Sequence, residues 1–418
     1  MRNNIIILLL LLIGATACSE KSRINTLSSL SESCLPNERI EISEDSVIEL
    51  KKESKENCVK IKIPQEISES SLDTIFSNYS FVPLQTTEKC IIGRIEKILV
   101  CEDCFCILDR DNSNVFLFEL DGRFRCRLGE KGHGPGEHLD AWNVAYDERH
   151  HEVVLLDLTG RKLMHYNMEG KLLKEEPMFY LYDCFEYQDD NMVIGTGKAY
   201  NDFSDILNLY QLIIADRSQM PIARGFKISS ETRQNFHYSP RLKKCNREIV
   251  YDDMLSDTLW CISEKKKIPL LTIDFGEGAR FGEDEKVHMT DNLFDERQNR
   301  TGTLNDWQFS PSYISLLVCT PNTRGSLFNV LYSRKGKRCK LFGFNKVAKR
   351  LGDYLTMSSF DGVYNDNTFI RIVEPMDILE CKKEILRNAS LTKAEKELIE
   401  GISADDNPVL MLEHLVDF

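Results

Sequence analysis

The chain has 418 residues, with 53 basic and 66 acidic side chains and a formal net charge of -13. That balance excludes a protein that holds nucleic acid by neutralising phosphates. The length is enough for two or three average domains or for one large β domain with a sizeable core.

The first residues set the compartment. Arg2 is a short positive start, Ile5 to Ile13 is an unbroken apolar run, and Gly14, Ala15, Thr16 and Ala17 are small. That order is a secretory signal peptide, predicted here over residues 1–17. The run from Ile5 to Ala17 is 13 residues, too short to span a bilayer, which takes ~20. Cys18 follows directly, and Ala15-Thr16-Ala17-Cys18 resembles a bacterial lipobox, with Ala15 where many lipoboxes have Leu. The resemblance implies cleavage before Cys18 and lipid on its thiol and new amine. Several acyl chains anchor a protein stably where one does not. Ser19 in place of Asp after the cysteine agrees with sorting to the outer membrane. The expected location is therefore the cell envelope, on an outer-membrane lipoprotein facing either the periplasm or the outside.

Residues 18–65 are polar and charged, as in Leu50-Lys51-Lys52-Glu53-Ser54-Lys55-Glu56-Asn57, and read as a tether. A short ordered piece fits around Val59 to Ile63. From residue 66 to 418 a single folded body is expected. Apolar runs of four to eight residues recur between Gly, Asp and Asn, among them Ile95–Val100, Phe105–Leu108, Val115–Leu120, Val153–Leu156 and Leu163–Met168. This is the rhythm of an all-β protein.

An internal repeat refines that reading. Phe105-Cys106-Ile107-Leu108-Asp109 aligns with Val153-Val154-Leu155-Leu156-Asp157, and Asp121-Gly122 aligns with Glu169-Gly170, each offset by 48. Acid-Gly pairs suit tight hairpins because Gly accepts positive φ. A period of 40–50 residues with about four strands per unit is the mark of propeller blades. Weaker copies follow, and the length fits six. The fold class is thus all-β, a six-bladed β-propeller, with a small helical insertion at 376–403. There Leu379, Ile385, Leu386, Leu391, Leu398 and Ile399 have helical spacing, and Ser390 stands as a possible cap.

Several marks resemble one family. They are Phe81-Val82-Pro83-Leu84-Gln85, Ile92-Gly93-Arg94-Ile95, the glycine-rich run Gly129 to Glu137, Ser256-Asp257-Thr258-Leu259-Trp260 and Asp405-Asp406-Asn407-Pro408-Val409-Leu410. The chain is similar to the six-bladed β-propeller lipoproteins of Gram-negative anaerobes, related in fold to NHL-repeat and TolB-like propellers. The resemblance implies the fold but no activity, because propellers host unrelated functions. Terminal strands that share one blade commonly close such a fold, and Pro408 to Leu415 is placed to do so.

Candidate chemistry is sparse. In Gly132-His133-Gly134-Pro135-Gly136-Glu137, the glycines leave backbone amides open to a ligand, with His133, Glu137 and His138 as polar contacts. The alternative is a crossover between blades in which Gly and Pro set the turns. Asp109 and Asp157 end equivalent strands; they either line a channel or cap the turns by accepting N–H bonds. Arg110 and Arg161 beside them form a possible basic rim. Beyond Cys18, 13 cysteines remain, an odd number that cannot all pair within the chain. Cys101-Glu102-Asp103-Cys104-Phe105-Cys106 lacks the second ligand pair of a zinc site and reads mainly as buried strand. His150-His151 reads as an exposed hairpin tip. No catalytic constellation, metal site or cofactor is expected. The predicted role is a binding or scaffolding propeller for a glycan, peptide or envelope protein, with a glycan-acting lyase or hydrolase at the channel mouth as the alternative.

Overall fold

A computed structural model of the chain describes residues 42–54, 58–62, 74–197, 201, 204, 207, 209–228, 241–252, 257–274, 303–319, 327–343, 359–387 and 391–418. The predicted signal peptide and Cys18 lie outside these residues.

The fold is a six-bladed β-propeller. Blade 1 is Ile95–Val100, Cys104–Asp109, Asn114–Glu119 and Phe124–Arg127. Blade 2 is Ala141–Asp147, Glu152–Asp157, Lys162–Asn167 and Leu172–Pro177. Blade 3 is Cys184–Gln188, Asn191–Gly195, Tyr210–Asp216 and Pro221–Lys227. Blade 4 is Arg241–Cys245, Glu248–Asp252, Thr258–Ser263 and Lys266–Asp274. Blade 5 is Thr303–Phe309, Tyr313–Cys319, Leu327–Ser333 and Arg338–Gly343. Blade 6 joins Gly362–Asn365, Thr368–Val373 and Val409–Leu415 to the early strand Phe76–Pro83.

The 48-residue offset read in the sequence is the register of blades 1 and 2. Asp109 pairs with Asn114, and Asp157 pairs with Lys162, at the same place in each hairpin. The middle strands of blade 1 are apolar on both faces because the blade packs against blade 6 on one side and blade 2 on the other. Cys104–Asp109 is buried at every residue. The Asp121-Gly122 hairpin needs its glycine twice over. Gly122 has φ +87°, and a Cβ there would stand 2.1 Å from the carbonyl oxygen of Pro83.

The chain divides into two compact units. One comprises Met1–Cys58, Pro177–Leu270 and Phe281–Phe294, and carries blade 3 and most of blade 4. Its core joins Cys184, Val193, Leu212 and Ile214 to Ile249, Tyr251, Trp260 and Ile262. Part of the stretch read as a tether is built into it. Ile48–Glu49 adds in parallel to the edge of blade 3, opposite Ala223 and Arg224. Lys51–Lys52 adds in parallel to blade 4, opposite Lys266 and Lys267. Between them Leu50 is buried in the shared core.

The other unit comprises Val59–Glu176, Leu271–Arg280 and Asp295–Phe418, and carries blades 1, 2, 5 and 6. Here Val59–Lys62 pairs in parallel with residues 271–274. Apolar cores lie between blades 5 and 6, between 6 and 1, and between 1 and 2. Two helices interrupt blade 6 before its third strand, α1 (Pro375–Leu386) and α2 (Lys393–Gly401). They pack through Ile378, Ile385, Leu391 and Ile399 onto Phe81, Val409 and Met411. The sequence pointed to Ser390 as a cap, but the N-cap of α2 is Thr392. Its hydroxyl accepts from the Glu395 N–H, and the Glu395 carboxylate accepts from the Thr392 N–H, which closes a capping box.

Candidate functional site

Antiparallel order fixes which residues share an end of blades 6, 1 and 2. Each second strand finishes where the fourth strand runs on to the next blade. Asp109, Asp157, the crossover loops 84–94 and 128–140, and the helices α1 and α2 therefore all lie at one end, the crossover end. The first hairpins, with Cys101–Cys104 and His150-His151, lie at the other. The sequence-predicted ligand loop and the aspartates are thus neighbours in topology, joined by a helical insertion that the sequence placed but did not relate to them.

The two aspartates are turn caps with the same wiring. Asp109 is fully buried; its carboxylate accepts from the N–H groups of Gly93 (3.1 Å) and Arg94 (3.0 Å) and from Asn112 Nδ2 (2.8 Å). Asp157, also fully buried, accepts from the N–H groups of Leu139 (2.9 Å), Asp140 (3.0 Å) and Gly160 (2.8 Å). Each ties the loop entering its blade to the turn leaving its second strand. Of the two readings offered by the sequence, the geometry supports capping.

Arg110 does not stand out as a rim. Its guanidinium lies 4.2 Å from the centre of the buried Trp142 ring and donates to Asp140 (3.3 Å) and the Ala141 carbonyl (3.2 Å). Arg161 holds a left-handed turn position, φ 55°.

The glycine-rich loop is a self-closed crossover. Residues 130–131 pair in parallel with 137–138. The Glu137 carboxylate folds back to accept from the Gly134 N–H at 2.7 Å, and a Cβ on Gly132 would lie 2.0 Å from it. The Gly136 N–H donates to Glu175 (2.8 Å), and Lys162 ties the Glu137 carbonyl (2.7 Å) to Glu175 (3.1 Å). The amides of Gly134 and Gly136 that the sequence left open to a ligand therefore have partners within the protein. Within the loop His133 is exposed. His138, the next histidine, is fully buried, with Nε2 2.8 Å from the Ser113 carbonyl. Burial lowers its pKa below the ordinary histidine value and keeps the ring neutral.

Sequence reading missed the residue that binds this end together. Asn407 is buried between the helices and the third strand of blade 6. Its Oδ1 accepts from the Ile92 N–H (2.8 Å), and its Nδ2 donates to the carbonyls of Cys90 (2.6 Å) and Gln85 (2.9 Å). Its position in Asp405 to Leu410 was noted as a mark, but only the fold shows that it clamps the crossover into blade 1. Ile91 on that crossover, Met376 at the start of α1 and Leu398 on α2 are exposed large apolar side chains at the same end. Among the described residues no cluster of three or more His, Cys, Asp or Glu has metal-holding geometry. Among them, too, no helix is long and apolar enough to cross a membrane.

Comparisons place this arrangement. A protein of Bacteroides fragilis NCTC 9343 thought to be exported superposes with a TM-score of 0.70 at 18% identity, over 86% of this chain and 100% of that one. A member of the DUF4221 family from Bacteroides vulgatus ATCC 8482 gives a TM-score of 0.48 at 8% identity, over 82% and 97% of the two chains. The first likeness shows the fold alone. No curated protein matches. Residues 58–413 match the family described as Domain of unknown function (DUF4934), from the edge strand Val59–Lys62 into the last strand of blade 6, and the chain belongs to that family.

Proposed function

We propose that the protein is a lipid-anchored envelope module whose propeller binds or scaffolds a glycan, peptide or protein partner at its crossover end. The observation that carries the reading is the order Arg2, Ile5–Ile13, Ala15-Thr16-Ala17-Cys18 in front of a folded propeller. A short apolar run ending in small residues and cysteine suits export and acylation, and it is too short to serve as a span. The choice of end rests on exposed Ile91, Met376 and Leu398, which sit beside the His133 loop on blades 6, 1 and 2. Exposed apolar groups rimmed by polar residues suit partner contact. A binding role is favoured over catalysis because the polar groups gathered there, Asp109, Asp157, Glu137 and Asn407, already serve backbone amides and carbonyls.

Fractionation of cells expressing the wild type and Cys18→Ser tests the anchor. The wild type is expected in the membrane fraction, with mass spectrometry finding an acylated N-terminal cysteine. An unacylated wild type in the soluble fraction would overturn the anchoring. For the binding end, cross-linking of wild type against Met376→Glu/Leu398→Glu should lose a shared adduct while the fold is kept. Unchanged adducts would remove that end from the reading.

A further inference from the structure

Four thiols stand on one face of blade 1, Cys101, Cys104, Cys106 and Cys126, all in the core shared with blade 2. They are not equivalent. Cys101 and Cys104 flank the two-residue turn Glu102-Asp103, and the Cys101 N–H donates to the Cys104 carbonyl at 2.9 Å. The next pair inward is Val100 with Phe105. The two cysteines therefore stand opposite one another across adjacent antiparallel strands, with side chains on one face. Residues so placed have Cβ atoms about 4.5–5.5 Å apart, close to the 3.5–4.5 Å that a disulfide needs.

The turn side chains Glu102 and Asp103 are both 67% exposed, whereas the thiols beneath them are covered, Cys101 at 5% and Cys104 at 0% exposure, so exchange at this pair proceeds when the hairpin tip opens. Arg125 reaches Asp103 (3.0 Å) and Glu119 (2.6 Å), and it holds positive charge beside Cys104. The hydrogen bond from Cys101 and the charge of Arg125 draw the Cys104 thiol below its ordinary pKa. Burial instead pushes Cys106 well up and Cys126 up to about 11.

We infer that Cys101 and Cys104 form a reversible dithiol–disulfide pair at the tip of the first hairpin of blade 1. The oxidant is an organic disulfide, either a small glutathione-type molecule or the disulfide of a thiol oxidoreductase. Cys104 gives its proton to water, and its thiolate attacks one sulfur, expelling a thiolate and leaving a mixed disulfide. Cys101 then loses its proton and attacks the Cys104 sulfur, expelling the second thiolate. Two cysteine thiols lose two protons and two electrons, and one disulfide becomes two thiols. The bridge closes a loop of only four residues, so it constrains the unfolded chain little. It acts as a redox-sensitive clip and not as a staple for the fold.

The test equilibrates the full chain in glutathione buffers from reducing to oxidising, then alkylates under denaturing conditions and maps the cysteine peptides by mass. Expected is a loss of two hydrogens from the peptide carrying Cys101 and Cys104 in oxidising buffer, reversed by reduction, while Cys106 and Cys126 stay alkylated. Complete alkylation of Cys101 and Cys104 in every buffer would overturn the inference, as would bridging of Cys104 to Cys106 or Cys126. In Cys101→Ser, with the resolving thiol gone, Cys104 is expected to accumulate a glutathione adduct. Its failure to do so overturns the assignment of Cys104 as the attacking thiol.

Discussion

Single side chains hold this propeller at places where the backbone alone has no partner. The Asp157 carboxylate satisfies three N–H groups that no strand can reach. A buried N–H left without an acceptor costs roughly 1–3 kcal/mol. Leu139 and Asp140 are half-buried and regain some water, so Asp157→Ala should cost about 3 kcal/mol, and Asp157→Asn, which keeps one acceptor oxygen, less. Urea denaturation checks the order. A second residue-scale case is the ion pair of Arg371 and Glu413, at 2.8 Å and 1% exposure on both sides. Arg371 also donates to the Ser359 carbonyl and lies over Phe360. Burial raises the Glu413 pKa although Arg371 opposes it, so desolvation outweighs attraction at the carboxylate. Glu413→Gln strands a buried cation and should cost about 3–5 kcal/mol, whereas the double variant Arg371→Met/Glu413→Leu should recover most of that loss. A double variant that loses more than Glu413→Gln alone would show that removing the stranded cation relieves nothing and would overturn this account of the pair.

Histidines give the pH dependence its sign. Burial lowers His138 and His414 below the ordinary value of 6.5. The unfolded chain takes up these protons near pH 6.5 while the folded chain still refuses them, so stability falls as pH drops from about 6.5 toward the folded values. A carboxylate beside His165 sets the dependence at lower pH. The His165 ring sits 3.2 Å from Glu176 and 2.8 Å from Glu152, and the Glu176 carboxyl is held down to about 2. That depressed carboxylate adds stability above its ordinary value of 4.5, which is lost as pH falls toward about 2. His138→Gln should flatten the stability profile just below pH 6.5 and leave the segment below 4.5 unchanged. A profile with both segments altered would implicate another group.

At the level of elements, legibility followed repetition. Phe105–Asp109 and Val153–Asp157 share residue types and turn chemistry, so the offset of 48 exposed two blades at once. The parallel edge strands were opaque for the opposite reason. Ile48–Glu49 and Lys51–Lys52 are two residues each, and the run they form carries only Ile48 and Leu50 among its charges. What orders them is tertiary. Leu50 enters a core built by residues from Cys184 to Ile262, far along the chain, Glu49 meets Arg224 at 3.0 Å, and Glu53 meets Lys266 at 2.7 Å. Composition alone reads such a segment as solvated. The bulges in the first strands, between Ile95 and Lys97 and again between Ala141 and Asn143, were equally hidden, because no residue type marks them. The polar site residues were found by type, but their engagement by backbone groups depends on loops 16–18 residues away in sequence for Asp109 and Asp157. Leu50→Asp should detach the edge without unfolding the blades. Hydrogen exchange should rise at residues 48–53 and along Pro221–Lys227, with the global transition lowered by less than a core substitution would lower it. Loss of cooperativity throughout the chain would refute a merely peripheral role for this segment.

For the whole molecule, blade 6 is the joint between the two ends of the folded chain. Val409–Leu415 lies between Thr368–Val373 on one side and Phe76–Pro83 on the other, paired along its length with both. Removing it deletes two ladders together, strands two sets of backbone groups, and takes Leu410, Met411 and Leu412 from the cores on the two faces of the blade. Each lost large apolar side chain costs about 2–5 kcal/mol, and three of them alone approach or exceed the 5–15 kcal/mol by which a domain is stable. A chain ending at Asn407 should therefore show no cooperative thermal transition. Asn407→Ala is the milder probe of the same joint: it keeps every strand but leaves Ile92, Cys90 and Gln85 without their clamp. It should lower the midpoint and keep a single transition. If the truncated chain melted like the intact one, blades 1 and 5 would be holding together without the strand that joins the two ends, and closure through blade 6 would not be what stabilises the fold.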